Sequence, residues 1–347
     1  MQTRRSLSGL AEIELPSNAP LMVSADSHVM EPDEVWGELP NALRSKLPVV
    51  KFGPTPAGGG DPEARIKDQA VDGVAAEILF PNYGMVLFGV DDVELQQEGF
   101  RIYNDWLATF CKVSPKTLFG VPCISLYDVD AGVKELERAH SVGLVGAMIW
   151  QVPDARFPFM SDHYERFWAA AAEMRAPVNC HILTGHSYAK DRRKAVGAER
   201  IRNAVNQKQD DTIRTLFDII FSGAFDRHRN LRLILAESEV GWAPFVLQQW
   251  DYYYERFGAN QEMPIRRRPS EIFAEHVFVT FLEDFAGTRN FAWWGQGNCL
   301  WSNDYPHFNM TFPQSRQNVA RHLAGLPDDV CRRLVRDNVV ELYRLDI

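Results

Sequence analysis

The chain has 347 residues, 46% of them apolar and 24% charged, which suits a large buried core in one domain of barrel size and excludes a disordered chain. The net charge of −9 argues against a nucleic-acid surface. No window approaches the roughly 18 apolar residues of a membrane span, and five scattered cysteines without a Cys-x-x-Cys pair point to reduced thiols in a cytoplasmic protein.

Residues 1 to 18 are polar and small without a period, and we read them as an N-terminal arm with no apolar signal core behind Arg4 and Arg5. A single domain is expected over 19 to 347. Its first strand ends at Ala25, just before Asp26-Ser-His28. Between Leu39 and Asp61, several prolines and the run Ala57-Gly-Gly-Gly60 argue against regular structure and mark a lid candidate. A helix over Glu63 to Asp72 and a strand over Ala75 to Phe80 follow, then a long amphipathic helix from Asp92 to Lys112.

The alternation continues with strands Phe119 to Ile124, Val145 to Trp150 and Pro177 to His181, separated by helices Val129 to Ser141 and Asp162 to Arg175. Helix Gln209 to Phe221 leads to strand Leu231 to Glu237, and helix Trp242 to Phe257 to strand His276 to Leu282. Asn298 to Asp304 is the eighth strand, and helices Gln314 to Leu323 and Asp328 to Tyr343 close the chain. Eight strands each followed by helical sequence predict an α/β fold, a parallel barrel with helices outside, whose sites gather at the carboxyl ends of the strands.

At those ends stand Asp26 and His28 after strand one, His181 after strand five, Glu237 after strand six and Asp304 after strand eight. Singly, each has a plain structural explanation: an N-cap or turn aspartate, a loop or core histidine, an acid favouring a helix dipole. Five such coincidences at one barrel mouth are improbable together. Three carboxylates and two imidazoles cannot converge near neutrality without a cation, since like charges and desolvation would oppose them. The donors suit a divalent metal, Zn, Mn or Fe, as one or two ions, with the carboxylate surplus leaning towards Mn and Fe.

Asp26-Ser-His28 with Glu31-Pro32, Pro177-Val-Asn-Cys-His181, the run into Glu237 and Gly241-Trp242, Ser302-Asn-Asp304-Tyr-Pro-His307 and the closing Asp337-Asn338-Val-Val-Glu-Leu-Tyr343 carry a family resemblance. Over about residues 20 to 345 the chain resembles the amidohydrolase-related (amidohydrolase 2) family that includes the aminocarboxymuconate semialdehyde decarboxylase group. The resemblance implies a distorted (β/α)8 TIM barrel and a metal held by Asp26, His28, His181 and Asp304 with an activated water. Two residues depart from the decarboxylase pattern. Asp26 stands where many members have a first His, and Glu237 where the decarboxylases have a catalytic His.

The leading expectation is therefore metal-assisted hydrolysis or non-oxidative decarboxylation of a small cyclic or aromatic acid or lactone. Asp304 is the expected base, Glu237 a ligand or proton donor, and His307 a group that orients Asp304 or meets substrate. His186 is a weaker candidate at the mouth, and His228 belongs to the opposite face. Trp36, Phe80, Tyr83, Trp150, Trp293, Trp294 and Trp301 supply candidates for an aromatic wall, two or three of which should touch ligand. A carboxylate-rich dinuclear iron monooxygenase is the rival enzyme, and a barrel that binds a small molecule without turnover the rival without chemistry. A homodimer is expected.

Overall fold

The apolar runs become eight short parallel strands in the computed structural model, which describes residues 21–186, 196–258 and 260–347. They are β1 Met22–His28, β2 Val74–Phe80, β3 Leu118–Gly120, β4 Ala147–Ile149, β5 Val178–His181, β6 Leu233–Ala236, β7 Val277–Phe281 and β8 Cys299–Trp301. Strands β1 to β3 form one parallel arc and β4 to β8 another. Loop backbone closes both seams. Between β3 and β4, the Val145 N–H donates to the Gly120 carbonyl at 2.9 Å and that of Met148 to Pro122 at 2.8 Å. Between β8 and β1, Asp304 N–H donates to Asp26 at 3.1 Å and His28 N–H to Tyr305 at 2.6 Å. The result is a distorted (β/α)8 barrel whose strands are buried on both faces, as parallel strands flanked by helices must be.

The helices start where the sequence offers a cap. Asp61, Asp92 and Asp128 each accept backbone N–H bonds at the starts of Pro62–Asp72, Val93–Cys111 and Val129–Ser141. Gly73 ends the first of these at φ 75, and a Cβ there would collide with the Arg316 side chain. Most expected elements agree with the structure to within a residue or two.

Three expectations need correction, and a fourth cannot be compared. The N-terminal arm expected over residues 1 to 18 lies outside the described residues. The 39 to 61 segment holds two short helical pieces, Asn41–Arg44 and Ala57–Gly59, rather than irregular chain alone. Its glycine run is packed inward: the Met30 N–H donates to the Gly59 carbonyl at 2.7 Å, and a Cβ on Gly58 would meet the Tyr305 hydroxyl at 2.6 Å. Strand β1 does not stop at Ala25 but runs to His28, with a register shift between Ser24 and Ser27 that re-aims the side chains there. Finally, β8 ends at Trp301, so Asp304 lies in the loop three residues beyond.

Candidate metal centre

Residues from four strand ends meet at the mouth. Asp26 and His28 come from the bulged end of β1, and His181 is the last residue of β5. Glu237 follows β6, and Asp304 and His307 lie on the loop after β8. Glu237, Glu239 and Asp304 all hold left-handed backbone, with φ of 55, 54 and 49. Non-glycine residues seldom adopt that conformation, and it aims these acids inward from sharp turns.

Asp26, His28 and His181 are fully buried. His28 Nδ1 lies 2.8 Å from the Pro81 carbonyl and His181 Nδ1 2.8 Å from that of Ile182. A carbonyl only accepts, so each Nδ1 carries a proton and leaves an Nε2 lone pair facing inward. The two Nε2 atoms are 3.2 Å apart, and each is 3.4 Å from Asp26 Oδ1. Neither oxygen of Asp26 has a hydrogen-bond donor. Two lone pairs and a buried carboxylate so arranged repel unless a proton or a cation stands among them. The set fits a divalent cation, with backbone carbonyls fixing both imidazoles from behind.

The titration of these groups follows the same logic. Burial works to raise Asp26, yet His181 and His28 beside it hold its carboxyl well below the usual range. Burial, with His307 alongside, pushes His28 down to about 4. Burial also works against a proton on His181, but Asp26 overcomes it and lifts the imidazole to about 9. Burial and then Glu237 push Asp304 up to about 7.

The second half of the site adjoins the first. Asp304 Oδ1 is 3.4 Å from His28 Nε2 and 2.9 Å from His307 Nδ1. The His307 ring stacks on that of His28 at 3.8 Å, and its Nε2 donates to Asn82 Oδ1 at 3.0 Å. Asn309 Nδ2 donates to Glu237 at 3.3 Å and to Asp304 at 3.2 Å. Glu237 lies 3.8 Å from His181 and 3.7 Å from Lys208 Nζ. Thus Asp26, His28, His181, Glu237, Asp304 and His307 all come together, and His28, Glu237, Asp304 and His307 form a second, overlapping donor group.

Other candidates separate. His186 sits in a different group with Asp91 and Asp154 and lies 2.9 Å from the Tyr127 hydroxyl. His228 pairs with Glu165 at 2.8 Å, away from the cluster. Of the aromatic residues, Phe80 packs 5.4 Å from His181 and 6.1 Å from His28. Trp36 and Trp301 are core, Trp294 packs on Phe273, and Trp293 is exposed.

Sequence reading missed Lys208, Asn309 and Asn82, which carry no spacing signal because they reach the site from a helix start and two loops. It quoted Glu31 only within a motif. That carboxylate accepts the N–H groups of Asn82, Tyr83 and Gly84, and so fixes the loop that presents Asn82 to His307.

Directly beneath lies a second buried charge cluster. Arg65, fully buried, donates to Glu77 at 2.6 Å and to the His28 carbonyl at 2.6 Å, and its guanidinium lies over the Tyr305 ring. Gln69, Ser27 and Asn303 complete the shell of Glu77.

The amidohydrolase family model matches residues 25–345. No curated protein matches the chain. Among solved structures, 5-carboxyvanillate decarboxylase from Sphingomonas paucimobilis is 20% identical, with TM-score 0.73, covering 94% of this chain and 99% of its own. The 2,6-dihydroxybenzoate decarboxylase from Rhizobium is 21% identical, with TM-score 0.70 and coverage of 94% and 99%. A dihydroxybenzoic acid decarboxylase from Polaromonas sp. JS666, solved with bound manganese and the inhibitor 2-nitroresorcinol, is 18% identical, with TM-score 0.70 and coverage of 93% and 97%. These likenesses establish a shared fold.

Proposed function

The chain belongs to the amidohydrolase family, and from that premise we propose that it is a metal-dependent decarboxylase of a small aromatic hydroxy acid. The observation that carries the reading is the buried Asp26 carboxylate without a hydrogen-bond partner, facing two inward-turned imidazole Nε2 atoms, with the Asp304–His307 pair beside it. Asp26, His28 and His181 would hold the ion, with Asp304 at its edge; manganese, present in the Polaromonas structure, suits such oxygen and nitrogen donors. When bound, a divalent ion supplies Lewis acidity towards the substrate's oxygens and offsets the charge of Asp26.

The remaining work falls to side chains. His307 donates through Nε2 to Asn82, so its Nδ1 and Asp304 Oδ1 share a proton across 2.9 Å. In decarboxylation the bond from ring carbon to carboxylate breaks, its electron pair stays on carbon, and carbon dioxide leaves. That carbon takes the shared proton from Asp304, and water restores it. Burial and then Glu237 push the Asp304 carboxyl up, which favours a proton shared with His307 at this position. Lys208 gives the acidic mouth a cation that an anionic substrate can meet, and Asn309 donates to the same Glu237 oxygen that Lys208 faces. Phe80 offers the ring a flat neighbour.

A second reading, the dinuclear iron oxygenase, draws on the overlapping donor group of His28, Glu237, Asp304 and His307. Lys208 and Asn309 already partner Glu237, which favours a single cation. One preparation separates the two. Protein purified without added metal, then given a panel of hydroxybenzoates, should carry one divalent ion per chain and release carbon dioxide without oxygen uptake. Two irons per chain with oxygen consumption would overturn the decarboxylase.

Five free cysteines, four of them buried, support a reducing, cytoplasmic setting. Among the described residues, no helix is long and apolar enough to cross a membrane. Exposed Phe245, Tyr252, Tyr253 and Phe257 on helix Ala243–Gly258 support a homodimer, which light scattering tests.

A further inference from the structure

At the opposite end of the barrel, a cavity of about 350 Å³ opens between the amino ends of β5 to β8 and the last helix. Three arginines line it. Arg175 precedes β5, Arg232 immediately precedes β6, and Arg344 follows helix Asn338–Tyr343. Elsewhere in the fold Arg65, Arg101, Arg138 and Arg227 each pair with a carboxylate. Among the described residues, none of these three guanidiniums has a carboxylate within ion-pair distance. Glu341 is the one acid on the cavity wall.

Two of the three arginines stand where the backbone conformation is costly. Arg175 and Arg344 occupy left-handed helix caps, at φ 51 and 54, positions where glycine is cheapest. Arg344 donates to the Met174 and Arg175 carbonyls, which ties the two caps together. Arg232 donates to the Arg229 and Leu231 carbonyls and faces His276. The Arg175 side chain has no hydrogen-bond or ion-pair partner among the described residues. Burial and the nearby charge of Arg175 both work against the Arg232 cation, although Glu275 supports it.

We propose that this floor cavity binds a small organic polyanion, with the size and charge of a phosphorylated carboxylic acid. Guanidinium forks match phosphate and carboxylate oxygens bidentately, and three of them around one space leave an excess of positive charge for a dianion. The volume is at the lower end of ligand pockets and well beyond a lone phosphate. Because active sites of this fold lie at the carboxyl ends of the strands, the floor site is separate from the metal centre and independent of the reaction assigned to it.

The probe is 3-phosphoglycerate, titrated calorimetrically into the full-length, metal-loaded protein at matched ionic strength, beside inorganic phosphate. The expected result is saturable binding, one per chain, weakened at least tenfold in Arg175→Gln and partly restored in Arg175→Lys. Arg175→Gln exchanges one non-glycine residue for another at the same cap and should keep its melting temperature and turnover. Binding should also survive Lys208→Met. Inorganic phosphate binding with the same Arg175 dependence also supports the site. No saturable binding by either probe overturns it, as does binding that ignores Arg175→Gln or disappears with Lys208→Met, which would place the anion at the mouth.

Discussion

Two clusters of fully buried charge sit one above the other at the β1 seam, and they are built to opposite rules. In the lower one, Glu77 receives Arg65, Gln69, Ser27 and Asn303, and Arg65 spends its remaining donors on the His28 and Tyr305 carbonyls. In the upper one, both oxygens of Asp26 lack a hydrogen-bond partner at close range, and two imidazoles turn their Nε2 atoms towards it. A buried charge is tolerated only when its partners are supplied. The lower cluster finds them all within the chain and holds the backbone in place, while the upper one leaves them to be supplied from outside.

The largest expected effect tests the upper cluster's chemistry. Asp304→Asn should lower carbon dioxide release by about 10⁴-fold while thermal unfolding stays near that of the parent. Retained turnover would show that the proton comes from elsewhere. In the lower cluster the sign reverses: Arg65→Met leaves Glu77 buried without its cation and should cost about 3–5 kcal/mol in urea unfolding. An unchanged unfolding midpoint would erase the distinction between the two clusters.

The cation itself is next. At a hundredfold excess over its Kd, a bound metal adds about 2.7 kcal/mol of stability, and Asp26→Asn should abolish most of that gain in a melting assay with and without manganese. The gain should also depend on pH. His181, lifted from its ordinary 6.5 to about 9, keeps in the folded protein a proton that the unfolded chain releases. Its contribution is fully present below 6.5 and lost as pH rises through about 9. Metal must displace that proton, so metal-induced stabilisation should grow from pH 6.5 to 9; a flat profile would remove His181 from the ligand set.

The smallest effect concerns the rim. Lys208→Met should raise KM about tenfold, or about 1.4 kcal/mol, with little change in kcat. An equal fall in kcat would make Lys208 part of the chemical step.

The strand and helix rhythm was legible because burial on both faces of a parallel strand leaves unbroken apolar runs, and because Asp61, Asp92 and Asp128 mark helix starts. The five donors were legible for the same reason: each stands where such a run breaks into a polar residue. The β1 bulge escaped notice, since Ser24 and Ser27 shift register only against β2. The glycines at 58 to 60 read as loose chain because their role is close approach to Tyr305 and Met30, residues remote in sequence. Trp301 and Trp36 read as wall candidates because an aromatic residue looks alike whether it faces core or ligand.

Local sequence thus determined the eight-stranded barrel, its family and the residue types at its mouth, because periodicity and helix capping act over a few residues. The tertiary structure decided everything that depends on closure. It brings His28 and His181, 153 residues apart, to 3.2 Å. It turns both rings inward through the Pro81 and Ile182 carbonyls, sets Lys208 and Asn309 on Glu237, and gathers three arginines beneath the floor. Such distances are set by how the two arcs of the barrel join, and no short window of sequence carries that information.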